Sequence, residues 1–257
     1  MRMSDWNGLC DHISSMGEVI ISFSGGFDST VLLAAAVKML PNDHIAVFAD
    51  VPMLSERQRR IVADAANELG ANIMTVRLGW DDMSGIRENT KERCYLCKKA
   101  IYSHVRRIAS DNGYTMCLDG ENASDVSDER PGRRAASEFN ISSPLKDLGI
   151  RREASRKMFS DLNLDVNVQK ETCMATRFPA GTRFNDADLR MIEECEDVIR
   201  NISGVRQIRM RMSNGTANLL TSPDAIHLLI GNEDELRSML SEKGISDMNI
   251  DRKGYEG

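Results

Sequence analysis

Several things are missing from this chain of 257 residues, and each absence narrows what it can do. No apolar run approaches the roughly 20 residues of a membrane-spanning helix, so no membrane partner is expected. Residues 1–17 hold no apolar core of signal-peptide type, which makes the cytoplasm the expected compartment. Positive charge is in deficit: 33 Lys and Arg face 39 Asp and Glu, and the net −6 disfavours a broad nucleic-acid surface while leaving room for a local basic patch. Repeats and low-complexity segments are absent. With no secretion signal, the six cysteines point to metal, cluster or catalytic roles before disulfides. The length allows one or two domains with a sizeable core.

What is present is organised around one stretch. Residues 19–23 form a short apolar run that predicts a buried strand, and an apolar helix is expected from 28 to about 39. Between and across their junction runs Ser24-Gly25-Gly26-Phe27-Asp28-Ser29-Thr30. Two glycines at a strand-to-helix turn admit an anion close to the backbone, and the helix N-terminus turns free N–H groups toward it. Ser24, Ser29 and Thr30 add hydroxyl donors, while Asp28 is placed either to hold Mg²⁺ or to cap the helix. No Gly-Lys-Ser/Thr follows, so the loop is not of the Walker type. Ser-Gly-Gly-x-Asp-Ser resembles the pyrophosphate loop (PP-loop) of the ATP pyrophosphatase superfamily, whose members adenylate a substrate and release pyrophosphate. The competing reading is an ordinary glycine turn.

Further strands are predicted at 44–49, 72–78 and 114–118. They alternate with a helix over 55–69, started by Ser55 with Gln58 and stopped by Gly70, and with a helix opened by Cys94-Tyr95-Leu96-Cys97. This alternation predicts an α/β fold: a doubly wound parallel sheet with helices on both faces. Ligands of such sheets bind beyond the carboxyl ends of the strands. The glycine loop, Asp50 and the Asp119-Gly120 turn all fall at such ends and are expected to converge on one crevice. Residues 123–145 are polar, with Arg130, Arg133 and Arg134 around Pro131-Gly132, and a helix over 151–162 follows. The irregular stretch 165–183 carries Cys173 and reads as a join. Beyond it come a helix over 185–201 started by Asn185 and Asp188, and a hairpin, 205–212 with 216–221, around Asn214-Gly215. Two helices, 223–230 and 233–243, and a last short strand complete a second, smaller α/β unit. A division into residues 1–168, binding nucleotide, and 169–257, binding substrate, is expected.

Cys94 and Cys97, one helical turn apart, can bite a single metal or cluster, and Cys173 would complete a three-thiolate site with one position open. Two alternatives stand beside this: a zinc staple with Cys117, Cys195 or His104 as fourth ligand, and a redox pair unrelated to Cys173. Cys10, Cys117 and Cys195 read as buried small hydrophobes; Cys195 shares a helical stripe with Leu189, Ile192 and Ile199. Arg209 and Arg211 alternate with Ile208, Met210 and Met212, so both guanidinium groups share one strand face, suited to a phosphate or carboxylate or simply solvated. Arg177 and Arg183 bracket Phe178-Pro179-Ala180-Gly181 close to Cys173, where a phosphate-bearing substrate fits.

Taken together, these motifs resemble the LarE-type sulfur transferases of nickel-pincer cofactor biosynthesis over nearly the whole chain. The resemblance rests on the glycine loop, Arg93-Cys94-Tyr95-Leu96-Cys97-Lys98, Asp119-Gly120-Glu121-Asn122, Arg130-Pro131-Gly132 and Ser143-Pro144-Leu145. It is completed by Cys173-Met174-Ala175-Thr176-Arg177, Gly181-Thr182-Arg183 and the Arg209-x-Arg211 strand. It implies a fold of the adenine-nucleotide α-hydrolase type and an enzyme that uses ATP and Mg²⁺ to adenylate a carboxylate of pyridinium-3,5-dicarboxylate mononucleotide. Sulfur then displaces AMP. In one branch of the family the cysteine matching Cys173 sacrifices its own sulfur; in the other, cysteines matching Cys94, Cys97 and Cys173 hold a 4Fe–4S cluster that carries sulfide from an external donor. The chain has all three cysteines. Lys98, Arg209 and Arg211 match family positions near the substrate or phosphate, whereas Glu121 and Val51 depart from the small hydroxyl residues expected there. A tRNA thiolase of the same superfamily is the runner-up, a zinc-stapled nucleotide-sensing module a weaker third, and the sequence leaves room for a homo-oligomer.

Overall fold

The computed structural model describes residues 3–124, 131–166, 168 and 171–255; Arg130 lies outside them. The chain divides into two compact units, one formed by Met1–Ser84 with Glu92–Glu171 and the other by Gly85–Lys91 with Thr172–Gly257.

The first unit opens with α1 (Met3–Ser14), β1 (Val19–Ser22), α2 (Phe27–Met39), β2 (His44–Asp50), α3 (Glu56–Leu69) and β3 (Ile73–Arg77). It continues with α4 (Arg93–Asp111), β4 (Met116–Asp119), α5 (Pro131–Glu138), the single turn α6 (Pro144–Asp147) and α7 (Arg152–Asp161). The four strands form an all-parallel sheet in the order β3-β2-β1-β4. Alternation along β1 explains why its run is apolar throughout. Val19, Ile21 and Phe23 enter a core with residues of α1, α2, α3 and α7, and Ile20 joins Val105, Ala109 and Cys117 on the other side. Helix α2 is buried from Ser29 to Ala36, which is why it reads as apolar all round rather than as a stripe. Ser55 caps α3 by accepting the Gln58 N–H at 3.1 Å, and Gly70 closes it in the left-handed conformation. The chain winds outward from β1 through β2 to β3 and then returns to β4 on β1's other edge. The switch point therefore lies between the loops that follow β1 and β4.

The second unit contains α8 (Asp186–Ser203), β5 (Arg209–Ser213), β6 (Thr216–Leu220), α9 (Ile226–Gly231), α10 (Glu233–Glu242) and β7 (Asp247–Ile250). A reciprocal capping box starts α8: Asn185 Oδ1 accepts the Ala187 and Asp188 N–H groups, and Asp188 accepts that of Asn185 at 2.8 Å. The expected hairpin turns at Asn214 and Gly215, both at positive φ, but β5 starts at Arg209, later than the sequence indicates. Strand β7 adds parallel to β6. This register sets Arg211 opposite Asn218 and Asn218 opposite Asn249, one polar row across three strands. The stripe Leu189, Ile192, Cys195 and Ile199 is buried, as its spacing requires.

The segment Gly85–Lys91 reads as polar loop in the sequence, yet it is stitched into the second unit. Asn89 is fully buried, and its Nδ2 donates to the carbonyls of Phe178 (3.2 Å) and Pro179 (2.8 Å). Its own carbonyl accepts the Gly181 N–H at 2.8 Å, and the Arg87 carbonyl accepts that of Phe184.

Candidate functional site

Two cavities concentrate the chemistry-bearing residues, one in each unit. The first, of about 610 Å³, opens at the switch point and is lined by Ser24, Gly26, Asp28, Ser29, Lys98 and Gly120, with Cys94 among the remaining residues. Two glycines have physical reasons to be there. Gly25 sits at φ 72°, and a Cβ on it would lie 2.6 Å from Val62 Cγ2 and 3.2 Å from Val62 Cα. A Cβ on Gly120 would lie 2.7 Å from the backbone nitrogen of Ser29, so only glycine lets the β4 loop rest on the start of α2. Gly26 is the N-cap of α2 and provides no side-chain cap for the first N–H groups of the helix.

The hydroxyls divide. Ser24 and Ser29 share a hydrogen bond of 3.1 Å at the cavity wall. Ser29 Oγ also donates to the Gly26 carbonyl at 3.0 Å, as Thr30 Oγ1 does at 2.9 Å; Thr30 is fully buried and does not line the cavity, so its hydroxyl secures the helix start. Asp28 is not the cap: it lies within the first turn of α2, and its Oδ2 accepts from Asn122 Nδ2 at 2.9 Å. Its Oδ1 is buried and has no hydrogen-bond partner among the described residues, a feature suited to a cation. Asp50 ends β2 as expected but is bound by Arg59 at 2.7 Å and Arg77 at 3.5 Å, away from the residues lining the cavity.

Sequence reasoning missed the network behind Gly120. Asp119 is buried; its Oδ2 accepts from the Tyr102 hydroxyl at 2.6 Å, and its Oδ1 from Ser143 at 2.7 Å and from the Glu121 N–H. Burial first, and then the Asp119 charge, pushes the Tyr102 phenol well above its ordinary value. Lys98 Nζ lies 3.8 Å from Asp119 Oδ2. Glu121 is gripped by Arg133 at 2.5 Å and Lys146 at 3.7 Å, which accounts for an acidic side chain in this turn.

Cys94 and Cys97 are the second and fifth residues of α4, Cys94 exposed and accepting from Arg93 Nη2 at 3.7 Å, Cys97 half-buried. Cys173, also half-buried, belongs to the second unit and opens the 3-10 turn Met174–Arg177. Cys94 and Cys97 offer two soft thiolate donors of the kind iron or zinc takes, while among the described residues no group of three His, Cys, Asp or Glu is gathered as for a metal ion. Cys10, Cys117 and Cys195 are buried, and desolvation pushes all three thiols up, which suits inert packing. His104 points its Nε2 toward Asp82 at 3.8 Å.

The second cavity, of about 500 Å³, is lined by Arg211, Asn218 and Asn249 from the sheet, by Asp251 just past β7, and by Thr176, Arg177, Phe178 and Pro179 from the segment after Cys173. The four arginines singled out in the sequence differ sharply here. Arg211 lines the cavity, and its Nε is buried without a hydrogen-bond partner among the described residues. Arg209 is only 2% exposed, and its guanidinium lies 3.4 Å from the centroid of the Tyr255 ring. Arg177 is 1% exposed and committed to Glu196 at 2.7 and 3.2 Å and to Thr172 Oγ1 at 2.6 Å. Glu196 also accepts the Met210 N–H, so this pair ties the 3-10 turn to α8 and β5, while Arg177 also lines the cavity. Arg183 is exposed, 3.7 Å from Glu88.

The chain thus contains a parallel α/β unit with a glycine-lined cavity at its switch point and a smaller unit with a polar cavity of its own. No family model matches it. The chain is homologous over almost its entire length to the pyridinium-3,5-bisthiocarboxylic acid mononucleotide synthase of Lactiplantibacillus plantarum, with 28% identity over 95% of this chain and 88% of the relative. The LarE-type resemblance read from the motifs stands on that relative. An uncharacterized protein of Methanocaldococcus jannaschii is 29% identical over 93% of this chain and 90% of its own. A second uncharacterized protein, from Synechocystis, is 26% identical over 100% and 96%.

Proposed function

We propose that the chain is an ATP-dependent sulfur transferase that makes a thiocarboxylate on a pyridinium mononucleotide. The observation that carries this reading is the cradle at the switch point, whose two glycines are sterically required and whose helix start is uncapped, in a homologue of a bisthiocarboxylate mononucleotide synthase. Gly25, Gly26 and the first N–H groups of α2 receive the phosphates of ATP, the Ser24 hydroxyl donates to them with Ser29 beside it, and Asp28 would hold Mg²⁺. The missing Walker lysine argues for cleavage between the α- and β-phosphates. A substrate carboxylate oxygen attacks the α-phosphorus, the bond to pyrophosphate breaks, and an acyl adenylate forms. Sulfide then adds to the acyl carbon and AMP departs with the former carboxylate oxygen. Lys98 faces the developing negative charge, and Arg211 takes the mononucleotide phosphate, with Arg209 behind it.

Cys94, Cys97 and Cys173 would together hold a 4Fe–4S cluster, which supplies an open iron as a carrier of sulfide. This assignment gives all three cysteines one purpose, whereas sacrifice of Cys173 leaves the other two without one. Incubation with ATP and the dicarboxylate mononucleotide should yield AMP and pyrophosphate; ADP and phosphate would overturn the reading. Asp28→Asn and Ser24→Ala should suppress adenylation while leaving iron and sulfide content after anaerobic purification unchanged. Intact mass after turnover separates the sulfur sources: dehydroalanine at Cys173, in yield matching the product, would establish the sacrificial route.

A further inference from the structure

We propose that the cavity of the second unit is a seat for a pyridinium ribonucleotide in which Phe178 is the platform for the cationic ring and the Asn218, Asn249 and Asp251 side chains read the ribose. This deepens the sulfur-transfer reading and rests on it for the identity of the ring. The sheet register supplies the first observation. Arg211, Asn218 and Asn249 are cross-strand neighbours on three consecutive strands, so their side chains share one face, and all three line the cavity. A row of one guanidinium and two amides on a sheet face is poor material for a core and good material for a phosphorylated polyol. Arg211 brings a buried Nε that lacks a partner among the described residues, a donor kept for an anion. Asn218 commits its amide nitrogen to the Arg211 carbonyl at 3.3 Å, which keeps its oxygen as an acceptor.

Asp251 extends the same wall past the end of β7. Its Oδ1 accepts the Lys253 N–H at 2.9 Å, so the carboxylate is fixed in place, and a fixed carboxylate is a fitting acceptor for vicinal ribose hydroxyls.

The remaining observation concerns the ring. Phe178 lines the cavity, is half-buried, and stacks on Phe184 with centroids 5.6 Å apart and planes at 16°. Its carbonyl is held by the buried Asn89, so backbone and ring are both fixed before any ligand arrives. The face of a fixed benzyl ring attracts a flat cation. The cavity lining thus combines a cation for phosphate with an aromatic surface and a carboxylate for a positively charged nucleoside. The polar row alone would accept any ribose phosphate; Phe178 supplies the discrimination. It also stands five residues after Cys173 in the same segment, which links ring binding to the sulfur chemistry.

The test is calorimetric binding to the full chain of nicotinamide mononucleotide, its uncharged dihydro form and ribose 5-phosphate. The cationic form should bind about tenfold more tightly than the dihydro form, with ribose 5-phosphate weaker still. Phe178→Leu should erase the gap between the two ring forms, Phe178→Tyr should keep it, and Arg211→Ala should weaken all three ligands alike. Equal affinity for the two ring forms, a gap that survives Phe178→Leu, or binding indifferent to Arg211→Ala would each overturn the proposal. Because no readout depends on ATP, a chain that cleaves ATP to ADP but keeps the ring preference would defeat the activity reading and leave the seat standing.

Discussion

The two cavities are built from different parts of the chain. In the first, the main chain forms the cradle: two glycines, an uncapped helix start and a β4 loop lying on the α2 backbone. In the second, side chains form it: Arg211, Asn218, Asn249, Asp251 and Phe178, drawn from three strands and the segment after Cys173. A main-chain site tolerates little addition, because any new atom meets backbone that cannot move aside. A side-chain site tolerates addition better and depends instead on a few buried braces, of which Arg177–Glu196 and Asn89 are the strongest here.

This contrast can be broken most severely in the first cavity. Gly120→Ala places a Cβ against Ser29 backbone, and pyrophosphate release is expected to fall about 100-fold as the helix start shifts by a fraction of an ångström or more. Gly8→Ala in α1, where the added Cβ meets nothing within 4 Å, should cost far less; equal losses would mean that the fall does not come from the cradle. Next in size is the brace of the second unit. Arg177→Ala strands Glu196 without its buried partner and should cost about 3–5 kcal/mol in urea unfolding, whereas a paired Arg177→Met, Glu196→Leu replacement should recover much of that.

The third effect separates two neighbours on one strand. Arg211→Ala should weaken binding of the phosphate-bearing substrate about tenfold or more, as expected for a charge-assisted contact of about 1.5–3 kcal/mol. Arg209→Ala should act mainly on stability, because its guanidinium is covered by Tyr255. The smallest effect lies behind the first cavity. Tyr102→Phe removes a hydrogen bond to Asp119 worth about 1 kcal/mol. The folded chain keeps the Tyr102 proton above pH 10 while the unfolded chain releases it. Stability should therefore be intact below that pH and decline above it, and Tyr102→Phe should flatten the decline in chemical-denaturation curves.

The first cavity was largely legible in the sequence because its information is local. Ser24-Gly25-Gly26, Asp28 and Asp119-Gly120 are contiguous pieces at strand ends, and the parallel topology brings them together. Asp50 stands at the right kind of position, yet two arginines claim it, and their reach depends on tertiary placement that no motif encodes. Thr30 looked like a ligand donor for the same reason as Ser29; both are buried, and only Ser29 reaches the cavity wall. In the second unit the alternation at Arg209 and Arg211 correctly put both on one face but gave no sign of Tyr255, 46 and 44 residues downstream, covering the first. The row Arg211, Asn218, Asn249 became visible only with the register of three strands, and Asn89 lay hidden in what reads as an ordinary polar loop.

Asn89 also bears on the order of events at the ribosome. It is made 90 residues before Pro179, whose carbonyl it holds, so at ordinary synthesis rates roughly 5–20 seconds separate the two. Throughout that interval Asn89 Nδ2 lacks the two carbonyls that hold it in the folded chain, and the second unit cannot close by nascent-chain folding of its own contiguous stretch. A stalled nascent chain ending shortly before Pro179 should thus leave residues 85–91 open to protease, and release of the stall should protect them.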